Sequence, residues 1–213
     1  MTVQAVIWDF GGVFTTSPFD AFNRYERDRG LPNDIIRRIN SINPDTNAWA
    51  RIERSEVDAA TFDRLFADEA KTIGFEIRGA DVLALLSGDL RPRVVDAFNA
   101  CKARFKVGCI TNNAPTGKGA GMSASSDKAA AIADVFSLFD HVIESSRAGV
   151  RKPDPRIYRM MCDAIGVEPI NCVYLDDLGI NLKPAREMGM TTIKVTSEDQ
   201  LLADLSKAVG LDF

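Results

Sequence analysis

Val6-Ile7-Trp8-Asp9-Phe10-Gly11-Gly12-Val13 decides how the rest of this 213-residue chain is read. An apolar, strand-like run ends in a carboxylate, and two glycines follow at once and permit a tight turn. A chain can present one reactive acid at a strand end in this way. An Asp beside Gly-Gly is also common in ordinary loops, so Asp9 alone reads as either a nucleophile or a turn residue.

Further along, two apolar runs end in the same manner. Phe105–Ile110 leads into Thr111-Asn112-Asn113, and Cys172–Leu175 leads into Asp176-Asp177. Shorter strand-like segments lie at His141–Glu144 and Thr191–Val195. Helical patterns separate them, over about Arg91–Arg104, Asp127–Phe136, Arg156–Ile165, Asn181–Met188 and Asp199–Ala208, with Pro155 placed for a first helical turn. Strand alternating with helix predicts an α/β fold, a parallel sheet with helices on both faces. Residues 16–88 differ: Phe19, Phe22 and Tyr25, then Ile35, Ile36 and Ile39, then Phe62, Leu65 and Phe66 recur at helical spacing with no convincing strand between them. The Gly- and Ser-rich stretch Thr116–Ser126 reads as a loop, and its Gly117-Lys118-Gly119 lacks the spacing of a nucleotide-binding phosphate loop.

Composition narrows the function. With 46% hydrophobic and 26% charged residues the chain can bury a full core. A net charge of -4 gives no electrostatic footprint for nucleic acid, and no basic run marks a membrane surface. Cys101, Cys109, Cys162 and Cys172 lack metal-ligand spacing and read as buried thiols of a reducing, cytoplasmic protein. Met1-Thr2-Val3-Gln4 carries no basic region, and the apolar run after it is cut by Asp9, so neither a signal peptide nor a membrane span is expected. The lone His141 has no acid spaced for a triad and reads as structural; Trp49 reads as core packing, and Arg51 and Arg54 as solvated.

In an open parallel sheet, ligands bind beyond the carboxyl ends of the strands. The polar residues expected at those ends are Asp9, Thr111 with Asn112, and Asp176 with Asp177, while Lys152 lies in a loop before a helix. Three crowded carboxylates repel one another unless a cation neutralises them, and a few hard oxygen ligands with room for water and phosphate describe a Mg²⁺ site. Thr111 and Asn112 can donate hydrogen bonds and Lys152 can place a compact positive charge on a phosphoryl group. Together they suit in-line phosphoryl transfer to Asp9.

The set Asp9-Phe10-Gly11-Gly12-Val13, Thr111-Asn112, Lys152-Pro153 and Asp176-Asp177 with Asn181 resembles, in order, the four motifs of the haloacid dehalogenase superfamily of aspartyl-phosphate hydrolases. Tyr174–Met190 looks especially like the phosphatase domain at the N-terminus of soluble epoxide hydrolase. The resemblance implies a Rossmann-like core, residues 1–15 and 89–213, with an inserted helical cap over 16–88. It further implies Asp9 as nucleophile and metal ligand, Gly11 as a ligand through its carbonyl, and Asp177 as the direct carboxylate ligand of Mg²⁺. Asp176 would bind through water and Asn181 would orient the acidic pair. Thr111, Asn112 and Lys152 would hold the phosphoryl group of a small phosphorylated metabolite.

One position departs from the pattern. The superfamily's motif has a second Asp two residues after the nucleophile, serving as general acid and base, and here that residue is Gly11. A main-chain metal ligand survives this change; a proton shuttle does not. The alternatives are therefore a metal-independent dehalogenase, against which the Asp176-Asp177 pair speaks, and a weakly active or non-catalytic binding module.

Overall fold

A computed structural model of the chain describes residues 2–119, 121–123 and 125–213. Met1, and Ala120 and Ala124 of the Thr116–Ser126 loop, lie outside the described residues. Five strands, β1 (Ala5–Trp8), β2 (Lys106–Thr111), β3 (His141–Glu144), β4 (Cys172–Asp176) and β5 (Thr191–Lys194), form one sheet in the order β3-β2-β1-β4-β5. Every pairing is parallel, and Trp8 lies in register with both Cys109 and Leu175. The chain steps outward from β1 to β2 and β3, then returns to β4 and β5 on the other side. The crevice where that order reverses opens between the ends of β1 and β4.

Strand periodicity builds the two faces. Val6, Trp8, Val107, Cys109, Val173 and Leu175 point into one apolar layer with Phe14, Val94, Phe98, Ile132 and Leu201. Ala5, Ile7, Ile110, Cys172 and Tyr174 point into the other, with Ile157, Tyr158, Met161 and Leu182. The first layer is covered by α6 (Pro92–Lys102), α7 (Ser126–Ser137) and α11 (Glu198–Val209), the second by α9 (Pro155–Ile165) and α10 (Gly179–Glu187). Local signals set the helix ends. Asp154 caps the Arg156 N–H ahead of Pro155, and Gly166 closes α9 in the left-handed conformation. The short α8 (Ser145–Ala148) and a 3-10 turn at Pro169–Asn171 carry no periodicity long enough to read from sequence.

A helical cap is inserted after β1. Helices α1 (Pro18–Asp28), α2 (Ile35–Ser41), α3 (Ala48–Glu53), α4 (Ala59–Thr72) and α5 (Gly79–Ala84) share their own apolar cluster of Phe22, Ile35, Ile36, Ile39, Ile52, Phe62, Phe66 and Val82. Ala114, from the loop after β2, is buried in the same cluster. The two segments that enter and leave the cap run side by side: Thr15 bridges Leu90, the Thr16 N–H donates to Asp89 C=O at 2.9 Å, and the Arg91 N–H donates to Phe14 C=O at 2.8 Å. Among the described residues no helix is long and apolar enough to cross a membrane. All four cysteines are buried and free. His141 is exposed at the first residue of β3, the sheet edge opposite the strand tips, and Arg51 and Arg54 both pair with Glu56.

Candidate active site

Because all strands run parallel, their carboxyl ends deliver Asp9, Thr111 and Asp176 to one edge of the sheet. The Asp9 N–H donates to Leu175 C=O at 2.8 Å, which continues the β1–β4 ladder one residue past the strand and brings Asp9 level with Asp176. Lys152 comes from the loop after α8. Its ammonium, 1% exposed, sits 2.8 Å from Asp9 Oδ1 and 2.8 Å from Asp176 Oδ2. Carboxylate oxygens of Asp9, Asp176 and Asp177 lie within 4.8 Å of one another.

The carboxylates differ in what already binds them. Asp176 is saturated: Oδ2 accepts from Lys152, the Tyr174 hydroxyl and Asn181 Nδ2, and Oδ1 accepts from the Leu178 N–H and Asn181 Nδ2. Asp9 Oδ1 takes the Phe10 N–H at 2.7 Å besides Lys152. Asp177 is half-buried and its Oδ2 sits against Gly12, where a β-carbon would lie only 2.2 Å away. Gly12 also has φ +75, so conformation favours glycine there, and a β-carbon would in addition displace the Asp177 carboxylate. Arg91 fixes the turn from below, donating to Gly12 C=O at 2.9 Å. Gly11 is unlike its neighbour, since a β-carbon there meets nothing within 4 Å.

Burial first, and the neighbouring charges second, shift the proton affinities of these groups. Burial pushes Asp9 well above the usual carboxylate range; Lys152 pulls it down, and Asp176 and Asp177 push it up. Burial and then Asp176 raise Asp177 to about 7, against Lys152 and Arg91. Burial opposes the Lys152 ammonium, but Asp176 and Asp9 outweigh it and raise its pKa above the ordinary lysine value. Burial, then the charge of Asp176, raises the Tyr174 phenol, which therefore stays a proton donor to that carboxylate.

The structure brings together Asp9, Lys152, Asp176 and Asn181 through direct contacts, with an Asp177 oxygen within 4.8 Å of the other two carboxylates and buried Thr111 at the tip of β2. Asn112 has a different set of partners from a simple phosphoryl donor. Its Nδ2 donates to Lys152 C=O at 3.0 Å, and its Oδ1 accepts the Lys152 N–H at 2.9 Å, so its amide clamps the lysine's own peptide. Sequence reasoning missed Tyr174 and Arg91. Tyr174 stands two residues before Asp176 on one strand, hence on the same face, and that period was the available signal. Arg91, at the start of a distant helix, offered none.

The two glycines give a paired expectation. Gly12→Ala should cost at least about 1–2 kcal/mol in chemical denaturation from its left-handed backbone alone, whereas Gly11→Ala should stay within about 0.5 kcal/mol; equal costs would contradict the asymmetry. Asp177 gives a pH expectation. Its pKa rises on folding from the ordinary 3.8 to about 7, so the folded state binds the proton more tightly. Stability from this group is therefore greatest at low pH and is lost as pH climbs through about 7. In metal-free protein the Tm of wild type should fall relative to Asp177→Asn between about pH 5 and 7.5. A pH-independent Tm difference would contradict the shift.

Known proteins place this geometry. The pattern of haloacid dehalogenase-like hydrolases matches residues 3–189. Over 99% of the chain it is 27% identical to bifunctional epoxide hydrolase 2 of Sus scrofa, of whose length it spans 40%. It is 29% identical to Phosphatase MT3486 of Mycobacterium tuberculosis (strain CDC 1551 / Oshkosh), covering 97% of this chain and 95% of that protein. A haloacid dehalogenase family enzyme of Bacteroides thetaiotaomicron, solved in complex with magnesium and inorganic phosphate, shares the fold with a TM-score of 0.58 at 16% identity, covering 92% of this chain and 96% of that one. With a parallel sheet, an inserted cap and the four motifs gathered at one edge of the sheet, this chain belongs to the haloacid dehalogenase-like hydrolases.

Proposed function

We propose that this chain is a Mg²⁺-dependent phosphomonoester hydrolase that works through an aspartyl-phosphate at Asp9, on a small phosphorylated metabolite. The observation that carries the reading is the Lys152 ammonium set between Asp9 and Asp176 beside Asp177. Three carboxylates and one ammonium leave two formal negative charges, and the donors are hard oxygens. A divalent cation of the Mg²⁺ kind fits that set by charge and by ligand chemistry. Asp9, Asp177 and the Gly11 carbonyl would hold it, while Asp176, whose oxygens are already hydrogen-bonded, would act through water. When bound, it supplies the positive charge that keeps crowded carboxylates ionised and offsets charge on the transferring group.

The chain's own residues do the rest. The Asp9 carboxylate attacks phosphorus as the bond to the leaving oxygen breaks; water then attacks the same phosphorus, releasing phosphate and restoring Asp9. Lys152 favours ionised Asp9 and offers its remaining N–H to a phosphoryl oxygen, with the Thr111 hydroxyl and the second Nδ2–H of Asn112 as further donors. Tyr174, Asn181 and the Leu178 N–H hold Asp176 so that Lys152 cannot swing away. The phosphatase among the relatives supports the reading, as does the magnesium- and phosphate-bound structure. A metal-independent dehalogenase has no use for Asp177, which this site holds at a cost in repulsion. Four buried free thiols suit a reducing cytoplasm, and the net charge of -4 suits neither nucleic acid nor membrane as partner.

Gly11 sets the limit on chemistry. Without an acid there, leaving groups that need protonation should react slowly. With Mg²⁺, p-nitrophenyl phosphate should be hydrolysed about 10²-fold or more faster than a simple alkyl phosphate, and Asp9→Asn should abolish both. Gly11→Asp, whose β-carbon would meet nothing within 4 Å, should raise the alkyl rate selectively. Equal wild-type rates on the two esters would sink the leaving-group argument, and phosphate release that is indifferent to Mg²⁺ would sink the metal.

A further inference from the structure

Arg151 and Lys152 are consecutive, yet their side chains leave in opposite senses, one to the cap and one to the carboxylates. Arg151 Nε lies 2.5 Å from Glu53 Oε2 at the end of α3, and Nη1 donates to Pro44 C=O at 2.9 Å in the loop between α2 and α3. Glu53 is itself buried, and its other oxygen accepts from Trp49 Nε1 at 2.8 Å. Trp49 packs edge-on against Phe62 and Phe22 of the cap's apolar cluster, with ring centroids 5.7 and 6.3 Å away. On the other side, Lys152 has its peptide clamped by Asn112 and its ammonium on Asp9 and Asp176.

The main chain is fastened at the same spot. Ser145 Oγ donates to Glu53 C=O at 2.7 Å and accepts the Asn113 N–H at 3.0 Å, and Ser55 Oγ donates to Ser146 C=O at 2.7 Å. One corner of the cap is thus joined to both loops that carry the phosphoryl-binding side chains, the one after β2 and the one after α8. This largely buried ion pair, its side chains 20% and 10% exposed, resists separation, because losing Arg151 would leave the Glu53 carboxylate buried without its cation.

We propose that Glu53 is a positioning residue for Lys152: by gripping Arg151 from the cap, it fixes the adjacent peptide so that the ammonium stays between Asp9 and Asp176. Seating of the cap and placement of the lysine are then one event. This rests on the phosphatase reading only for its kinetic consequence; the placement itself is readable without turnover.

The test uses Glu53→Gln, Arg151→Met, the double variant and the charge-preserving Arg151→Lys, each in the full chain with Tm measured alongside. Trace reductive methylation with formaldehyde and borohydride, read by peptide mass spectrometry, reports Lys152 accessibility. Labelling of Lys152 should rise about fivefold in either single variant, as local opening becomes easier. With p-nitrophenyl phosphate and Mg²⁺, each single variant should lose about tenfold in kcat/KM and bind inorganic phosphate, as a competitive inhibitor, correspondingly more weakly. The double variant should be no worse than either single one, and Arg151→Lys should recover to within about threefold of wild type, because the two residues form one link. Lys152 labelling and phosphate inhibition within about twofold of wild type in both singles, or losses that multiply in the double, would overturn the proposal. If Glu53→Gln does not fold, Arg151→Met against Arg151→Lys carries the same comparison. A wild type that releases no phosphate, but whose Lys152 labelling responds to Glu53, would overturn the phosphatase reading and leave the link standing.

Discussion

A single buried ammonium holds this site together. Lys152 is 1% exposed and lies 2.8 Å from each of two carboxylates that would otherwise face each other uncompensated. Taking such charges out of water costs several kcal/mol per ion, and only close pairing with further hydrogen bonds offsets it. Asp176 shows how that is done here: both its oxygens are held by Tyr174, Asn181 and the Leu178 N–H, so it works as an anchor rather than an open ligand. Asp177 is weakened as an acid by burial and then by the neighbouring charge of Asp176. Three carboxylates therefore share one ammonium.

Much of this was legible in the sequence, because a parallel sheet converts strand ends into neighbours. The strand-like runs ending at Asp9, Thr111 and Asp176 could be placed at one edge before any coordinate was known, and Lys152-Pro153 followed by order along the chain. Contacts that depend on the cap's seating were not legible. Glu53 and Arg151 are far apart in sequence, neither sits in a periodic pattern that marks it, and a Glu near the end of a short helix ordinarily faces water. Asn112 shows a subtler limit. Its residue type says that it donates, while only the fold shows that the Lys152 peptide takes one of those donors.

The two glycines after Asp9 also separate once packing is known. Gly12 is favoured by a left-handed backbone, and a larger residue would push the Asp177 carboxylate aside. Gly11 is under neither constraint and faces open space, so its identity is a matter of chemistry rather than of folding.

The claim on which the rest depends is that Asp9 takes the phosphoryl group covalently. Acid-quenching the protein during turnover of p-nitrophenyl phosphate with Mg²⁺, followed by borohydride reduction and peptide mass spectrometry, reads it directly. The account predicts homoserine at position 9, formed only when substrate is present and absent from a Lys152→Met control that cannot hold the phosphoryl group. Turnover that leaves Asp9 unmodified, or a reduced carboxylate at Asp176 or Asp177 instead, would contradict it.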